Sequence, residues 1–258
     1  MKICFSKYQG TGNDFIMLNN MDGVYNDLNI DQIRFLCDRR FGIGGDGLIK
    51  ISRHEDCDFV VEYYNADGSQ SFCGNGARCS VAFAMQSNII GEKTHFMAID
   101  GPHNAMIRGE YVHLEMLPVA LIEQKNSDYI INTGSPHYIR FVDQVQQLNI
   151  VEFGQSIRYS PAYKDEGINV NIVVEIDDSS IEIATYERGV EAETLSCGTG
   201  ATACALAFMD KNEICEAEVS VHTKGGRLTI KATRNEGCFN SIQLAGPAKK
   251  IFDGSIEI

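Results

Sequence analysis

Two five-residue stretches, Cys73-Gly74-Asn75-Gly76-Ala77 and Cys197-Gly198-Thr199-Gly200-Ala201, place a thiol in the same setting twice in one chain. Each is glycine-rich and runs into an apolar helical pattern, which marks a helix N-terminus. There the first backbone N–H groups lack partners and the positive end of the helix dipole favours an anion. A cysteine at such a start has its pKa lowered, because thiolate is the anion being stabilised. The same N–H groups can hold a carboxylate. Two activated thiols on opposite faces of one carbon suit inversion of a stereocentre, which needs a base on one face and an acid on the other. A proton removed next to a carboxylate leaves charge on the carboxylate oxygens, where helix starts can stabilise it, so pyridoxal phosphate is not required. Two thiols facing this closely would titrate as a pair.

The other cysteines, Cys4, Cys37, Cys57, Cys79, Cys204, Cys215 and Cys238, read as packing residues. No zinc site is expected, because C-x5-C and C-x6-C lack ligand spacing and no histidine cluster accompanies them. A disulfide between Cys73 and Cys197 would be an oxidation product of adjacent reactive thiols. Residues 42–47, GIGGDG, match the letters of a dinucleotide fingerprint. They follow a helix-like segment and precede a strand-like one, the reverse of that motif's order, and read as a turn. Lys224-Gly225-Gly226 likewise reads as a strand-to-strand turn.

The elements that position the two thiols come in matched sets. Cys73 and Cys197 are displaced by 124 residues, and Thr11-Gly12 with Thr133-Gly134, Gly45 with Gly167 and Tyr64 with Tyr186 are each displaced by 122. Four matches in order at a near-constant offset read as a duplicated supersecondary plan. Short β-branched or aromatic runs at 2–8, 47–53 and 58–64 predict strands, as do 129–133, 136–142, 168–176, 181–186, 217–223 and 226–231. Helices are predicted at 31–39, near 142–149, and over 77–85 and 201–209. The last two are apolar on most faces and so must be buried nearly all round. The expected fold is therefore α+β: two similar domains, 1–118 and 119–258, each a curved sheet wrapped around a central helix, with the active site in the cleft between them. The final strand, about 249–258, is a candidate to pack back on the first half.

The chain has 258 residues with 44% hydrophobic and 22% charged, which excludes disorder as its main state. Its net charge of −13 with scattered Lys and Arg leaves no footprint for nucleic acid. No apolar run approaches the ~20 residues that cross a bilayer, and the polar start shows no export signal, so neither membrane insertion nor secretion is expected. Nine cysteines, an odd number in a chain able to build its own core, point to reduced thiols in the cytoplasm.

QGTGNDF at 9–15, RRFGIGGDG at 39–47, YYNADGSQSFCGNGARC at 63–79, GSPH at 134–137, EGINVN at 166–171 and YERGVEAETLSCGTGATA at 186–203 together resemble diaminopimelate epimerase. The resemblance extends from residue 2 to the final strand. It implies pyridoxal-independent interconversion of LL- and meso-2,6-diaminopimelate, in lysine and cell-wall precursor biosynthesis, by a homodimer without cofactor or metal. It implies that the amino acid lies between catalytic Cys73 and Cys197. Asn13, Asn65, Asn169, Glu187 and Arg188 would bind it, with Gly74, Asn75, Gly198 and Thr199 around the reacting carboxylate. His137 would pair with Cys73 and Glu187 would lie near Cys197, each helping its thiol exchange a proton. Two positions depart from the family pattern: Gly47 stands where many members carry Gln, and Ser135 replaces the Asn of GNPH.

Without the resemblance these residues have plainer readings: His137 as a structural histidine, Asn65 as a turn former, Arg188 beside Glu187 as a surface pair. The rival enzyme is a two-cysteine racemase of proline or hydroxyproline. A cyclic substrate offers no distal ammonium and carboxylate, whereas Arg188 with Asn65 and Asn169 suits a longer one, the guanidinium fork matching a distal carboxylate. A catalytically silent binding protein has no use for both cysteines. A thiol redox sensor would make the disulfide the function, whereas an epimerase would merely be inactivated by it.

Overall fold

The computed structural model describes the backbone of residues 1–258 and every side chain except that of residue 146. The chain divides into two compact units, Met1–Leu114 with Gly246–Ile258, and Glu115–Ala245. The boundary thus falls four residues before the sequence-expected 118, and the terminal segment is part of the first unit.

The first unit runs β1 Lys2–Gly10, β2 Asn13–Asn19, α1 Ile30–Cys37, β3 Gly47–Ser52, β4 Phe59–Asn65, α2 Gly74–Gln86, β5 Lys93–Ala98, β6 Gly101–Arg108 and β7 Tyr111–Met116. The second runs β8 Ile122–Lys125, β9 Asp128–Asn132, β10 Pro136–Phe141, α3 Ile150–Arg158, β11 Asn169–Asp177, β12 Ser180–Glu187, β13 Ala192–Thr194, α4 Gly198–Lys211, β14 Glu216–Thr223, β15 Gly226–Asn235 and β16 Cys238–Pro247. The chain then returns to the first unit as β17 Lys249–Glu257.

Strand order in the first unit is β17-β1-β2-β3-β4-β5-β6-β7, with β2–β3 and β4–β5 parallel and the other pairs antiparallel. The second unit repeats it as β8-β9-β10-β11-β12-β14-β15-β16, with β10–β11 and β12–β14 parallel. The duplication holds to the residue. Phe15 pairs with Gly47 and Leu48 with Tyr64; adding 122 gives His137 with Asn169 and Val170 with Tyr186, the pairs found in the second unit.

Each sheet curves around its long helix. α2 packs against β1, β2, β3, β4, β6 and β17, and α4 against β9, β10, β11, β12, β14 and β15. Gly74 through Ala84 of α2 are all buried, as is almost every residue of α4 through Met209. Ala, Cys and Gly dominate the two helices because sheet approaches them on several sides. Around α4 the core is built from Val, Ile and Leu of the strands and Leu206, Phe208 and Met209 of the helix. Each such side chain, fully withdrawn from water, contributes about 1.5–3 kcal/mol.

A correction concerns the helix predicted near 142–149. The structure has only a 3-10 turn at Val145–Gln147, and the α-helix begins after Asn149. Asn149 accepts the N–H groups of Val151 and Glu152, so it starts the helix instead of lying inside it. Residues 42–46 form the loop before β3, and Lys224-Gly225 the turn between β14 and β15. Among the described residues no helix is long and apolar enough to cross a membrane.

Candidate active site

Cys73 caps α2 and Cys197 caps α4 with the same extended backbone, φ −134°, ψ 112° and φ −121°, ψ 113°. That conformation turns the side chain of an N-cap toward the N–H groups of the first turn. The Gly76 N–H donates to Cys73 Sγ at 3.4 Å. The third helical residue is glycine in both, and the space around it is tighter at Gly200 than at Gly76. A Cβ on Gly76 would lie 3.1 Å from Ile49 Cδ1 and 3.5 Å from Cys73 Cβ, and one on Gly200 would lie 2.9 Å from Asn171 Oδ1 and 3.3 Å from Cys197 Cβ. Deeper in the helices, burial pushes the Cys79 thiol up to about 12 and raises Cys204 well above the ordinary range, so both stay protonated.

Behind Cys197 lies a polar network whose proton positions can be assigned. Asn171 Nδ2 lies 3.1 Å from the Tyr138 carbonyl, which only accepts, and Asn171 Oδ1 accepts from Thr185 Oγ1 at 2.9 Å, so the amide has one orientation. Asn171 therefore donates to His137 Nδ1 at 3.2 Å. A neutral His137 then carries its proton on Nε2 and donates it to Thr199 Oγ1 at 2.9 Å. The Thr199 hydroxyl lies 3.4 Å from Cys197 Sγ, where it can donate to a thiolate or accept from a thiol. Burial, with the nearby charge of Arg188, pushes His137 down to about 3, which keeps the ring neutral. Asn171 escaped the sequence reading. It is two residues from Asn169 on β11 and so shares its face, the signal that could have marked it. At the matching positions of the first unit, Phe15 and Ile49 replace His137 and Asn171 and line the start of α2 with hydrocarbon.

The first unit brings Asn13 and Asn75 together: Asn75 Nδ2 donates to Asn13 Oδ1 at 2.5 Å, and Asn13 Nδ2 donates to Asp46 Oδ2 at 3.0 Å. Arg39 bonds both Asp14 and Asp46, and Lys7 pairs with Asp14 at 2.8 Å. Burial works against ionisation of Asp14, but Arg39 and Lys7 overcome it and hold its carboxyl at about 2. Asn65 bonds within its own turn: its amide nitrogen bonds Ser69 O, Ser69 Oγ and Ser71 Oγ, and its Oδ1 accepts from Tyr63 Oη.

In the second unit Asn169 Nδ2 donates to Ser135 Oγ at 2.8 Å and to Pro136 O, while its Oδ1 accepts the Arg188 N–H at 2.8 Å. Arg188 is exposed and donates to Glu166 O at 2.8 Å. It forms no ion pair with a carboxylate among the described residues. Gly167, at φ +76°, leaves it room, since a Cβ there would sit 2.5 Å from Arg188 Cδ. Glu187 ends β12 half-buried, its carbonyl receiving the Glu191 N–H. Thr199 O accepts from Thr133 Oγ1 and Gly198 O from Thr202 Oγ1.

The family model described as diaminopimelate epimerase matches residues 5–102 and 129–251. The diaminopimelate epimerase of Flavobacterium psychrophilum is 44% identical over 252 residues, covering 97% of this chain and 98% of the relative. That of Aquifex aeolicus is 36% identical over 276 aligned residues, covering 98% and 97%. The chain belongs to the diaminopimelate epimerase family. Solved structures share the fold: a phenazine biosynthesis protein of the PhzF family from Bacillus anthracis, at TM-score 0.78, 14% identity and 100% coverage of both chains, and a hydroxyproline epimerase from Agrobacterium vitis, at TM-score 0.69 and 15% identity over 99% and 91%.

Its two departures from the usual diaminopimelate epimerase pattern have structural counterparts. A Cβ on Gly47 would meet the Tyr63 ring at 2.4 Å, so Tyr63 occupies the space of a side chain at 47 and brings a hydroxyl beside Asn65. Ser135 accepts from Asn169 through its hydroxyl. Among the described residues no group of three or more His, Cys, Asp or Glu is placed to hold a metal ion.

Proposed function

We propose that this enzyme interconverts LL- and meso-2,6-diaminopimelate by passing protons between the two faces of one α-carbon, with Cys73 and Cys197 as the two acid–base groups. The observation that carries the reading is the duplicated helix start: a cysteine N-cap in the same backbone conformation, with a glycine three residues on, in each half of a chain of this family. In one direction the Cys73 thiolate takes the α-proton and becomes a thiol, while Cys197 gives its proton to the opposite face and becomes the thiolate. The return reaction reverses the assignments. The charge that develops on the substrate carboxylate is received by the N–H groups at Gly74, Asn75, Gly198 and Thr199.

Thr199 donates to the Cys197 sulfur and stabilises it as thiolate, with His137 and Asn171 holding the hydroxyl in that orientation. As the resemblance implies, His137 assists proton exchange at Cys73 and Glu187 assists it at Cys197. Asn13, Asn65, Asn169 and Glu187 bind the polar groups of the substrate. Arg188, uncommitted to any carboxylate among the described residues, answers the distal one. The reaction belongs to lysine and cell-wall precursor synthesis in the cytoplasm, the assembly is a homodimer, and no cofactor is used.

Incubating the reduced protein with LL-diaminopimelate, and separately with L-proline, tests substrate and reaction together. The proposal expects conversion of LL- to meso-diaminopimelate without added pyridoxal phosphate. Racemisation of proline with diaminopimelate untouched would overturn it.

A further inference from the structure

Arg78 breaks two ordinary rules of placement. It is the largest side chain wholly withdrawn from solvent, and it lies just past the first turn of α2, near the positive end of the helix dipole, where a cation is disfavoured. It has no carboxylate partner among the described residues. Its terminal nitrogens donate instead to Gly74 O at 3.4 Å, Thr11 Oγ1 at 3.1 Å and Asn75 Oδ1 at 2.8 Å, and its buried Nε has no hydrogen-bond partner among the described residues. A locally costly residue is expected where it serves function.

The bond to Asn75 begins a chain that has a direction. Arg78 donates to Asn75, Asn75 to Asn13 at 2.5 Å, and Asn13 to Asp46 at 3.0 Å. Asp46 also receives the Asp14 N–H at 3.2 Å and Arg39 at 2.7 Å. A side-chain amide turned over by half a rotation exchanges donor for acceptor. A guanidinium, however, only donates and a carboxylate only accepts. With one at each end, neither amide between them can turn over without setting donor against donor or acceptor against acceptor. Burial pushes Arg78 down to about 10, which leaves it protonated at neutral pH.

We propose that Arg78 and Asp46 are positioning residues that set the donor–acceptor polarity of Asn75 and Asn13, so that the first unit offers its substrate one fixed pattern of amide groups. This rests on the reading of Asn13 and Asn75 as substrate-binding residues. The polarity matters because an ammonium only donates and a carboxylate only accepts, so an inverted amide turns an attraction into a repulsion. The loss falls equally on bound substrate and transition state, which raises KM and spares kcat.

The test is Asp46→Asn in the full-length enzyme, with Arg39→Met beside it. The first replaces the exclusive acceptor by a group that can also donate. The second removes the ion pair and leaves the acceptor in place. For Asp46→Asn the expected result is a KM for LL-diaminopimelate raised about tenfold with kcat within about twofold. The side-chain amide protons of Asn13 and Asn75, followed by NMR, should exchange with solvent at least about tenfold faster. Arg39→Met is expected to lower the melting temperature while keeping KM and both exchange rates within about twofold. Equal effects of the two substitutions, or unchanged amide exchange in Asp46→Asn, would overturn the proposal. Absence of diaminopimelate turnover in the unaltered enzyme would overturn the functional reading, and the exchange rates would then decide this one alone.

Discussion

The proposed chemistry rests on two sulfur atoms, and they differ in their support. Cys73 receives a backbone N–H at the start of α2, whereas Cys197 meets a hydroxyl whose orientation is set by His137 and Asn171. Replacing Cys73 or Cys197 by Ala is expected to lower turnover below about 1% of the unaltered enzyme, because in the proposed mechanism each change removes an obligatory proton carrier. Circular dichroism should remain native, since an alanine fits at either position. His137 makes a separate prediction for stability. Its pKa is about 3 in the folded protein, through burial and then Arg188, against about 6.5 unfolded. Between these values the unfolded chain binds the extra proton, so this contribution to stability falls as pH falls below about 6.5. His137→Gln should flatten the dependence of unfolding free energy on pH between about 4.5 and 5.5 by about 1.4 kcal/mol per pH unit. Denaturant titrations at a series of pH values would show it. Equal slopes would mean the ring is protonated in the folded state. The cysteines were legible because their glycines and helices surround them in sequence. Arg78, Asp46 and Asn171 were not, because what marks them is a partner from a distant strand or loop.

At the level of elements, a glycine at the third helical position follows each cysteine cap. The two positions differ in what an added methyl would meet. At Gly76 it is the end of the flexible Ile49 side chain at 3.1 Å, and at Gly200 it is the Asn171 amide oxygen at 2.9 Å, fixed by its own hydrogen bonds. Gly200→Ala should therefore destabilise by about 1–3 kcal/mol and disturb the His137–Thr199 contact, and Gly76→Ala should cost less. Chemical denaturation of both variants checks the order, and a reversed order would contradict the network drawn behind Cys197. Strand periodicity revealed β3, β4, β11 and β12, but β2 escaped it. Phe15, Ile16, Met17 and Leu18 are all fully buried, so the strand shows no alternation, and an unbroken apolar run does not by itself distinguish strand from helix. The boundary of α3 was misjudged for a different reason: Asn149 is a cap, and a cap is recognised only when the N–H groups it satisfies are known.

Over the whole molecule, a repeat of four short matches proved to be a repeat of eight strands in identical order and sense. The offset of 122 residues visible in Tyr64 and Tyr186 is the offset of their strand register. What the repeat could not disclose was that the units are unequally continuous. The second is one stretch, whereas the first is completed only by β17, which pairs with β1 along almost its full length. Ile256 and Ile258 pack on the core formed by Ile3, Ile16 and Leu18. Removing residues 249–258 should leave β1 an open edge, expose that core and abolish turnover. Hydrogen exchange of the truncated chain is expected to show faster exchange in β1 and β2 with α4 and β14 still protected. Uniform protection throughout would show that β17 is dispensable to the first unit.

Proton exchange at the reacting carbon tests the two-base account most directly. LL-diaminopimelate should be incubated with the reduced enzyme in deuterium oxide and sampled while only a few per cent has been converted. A proton taken by one thiol and replaced by a deuteron from the other puts deuterium into the meso product, while the remaining LL substrate keeps its hydrogen. The account predicts product carrying deuterium at the inverted carbon and substrate essentially free of it. Deuterium appearing in recovered LL substrate as fast as in the product would place removal and return on the same group, and would contradict Cys73 and Cys197 as the two opposed bases.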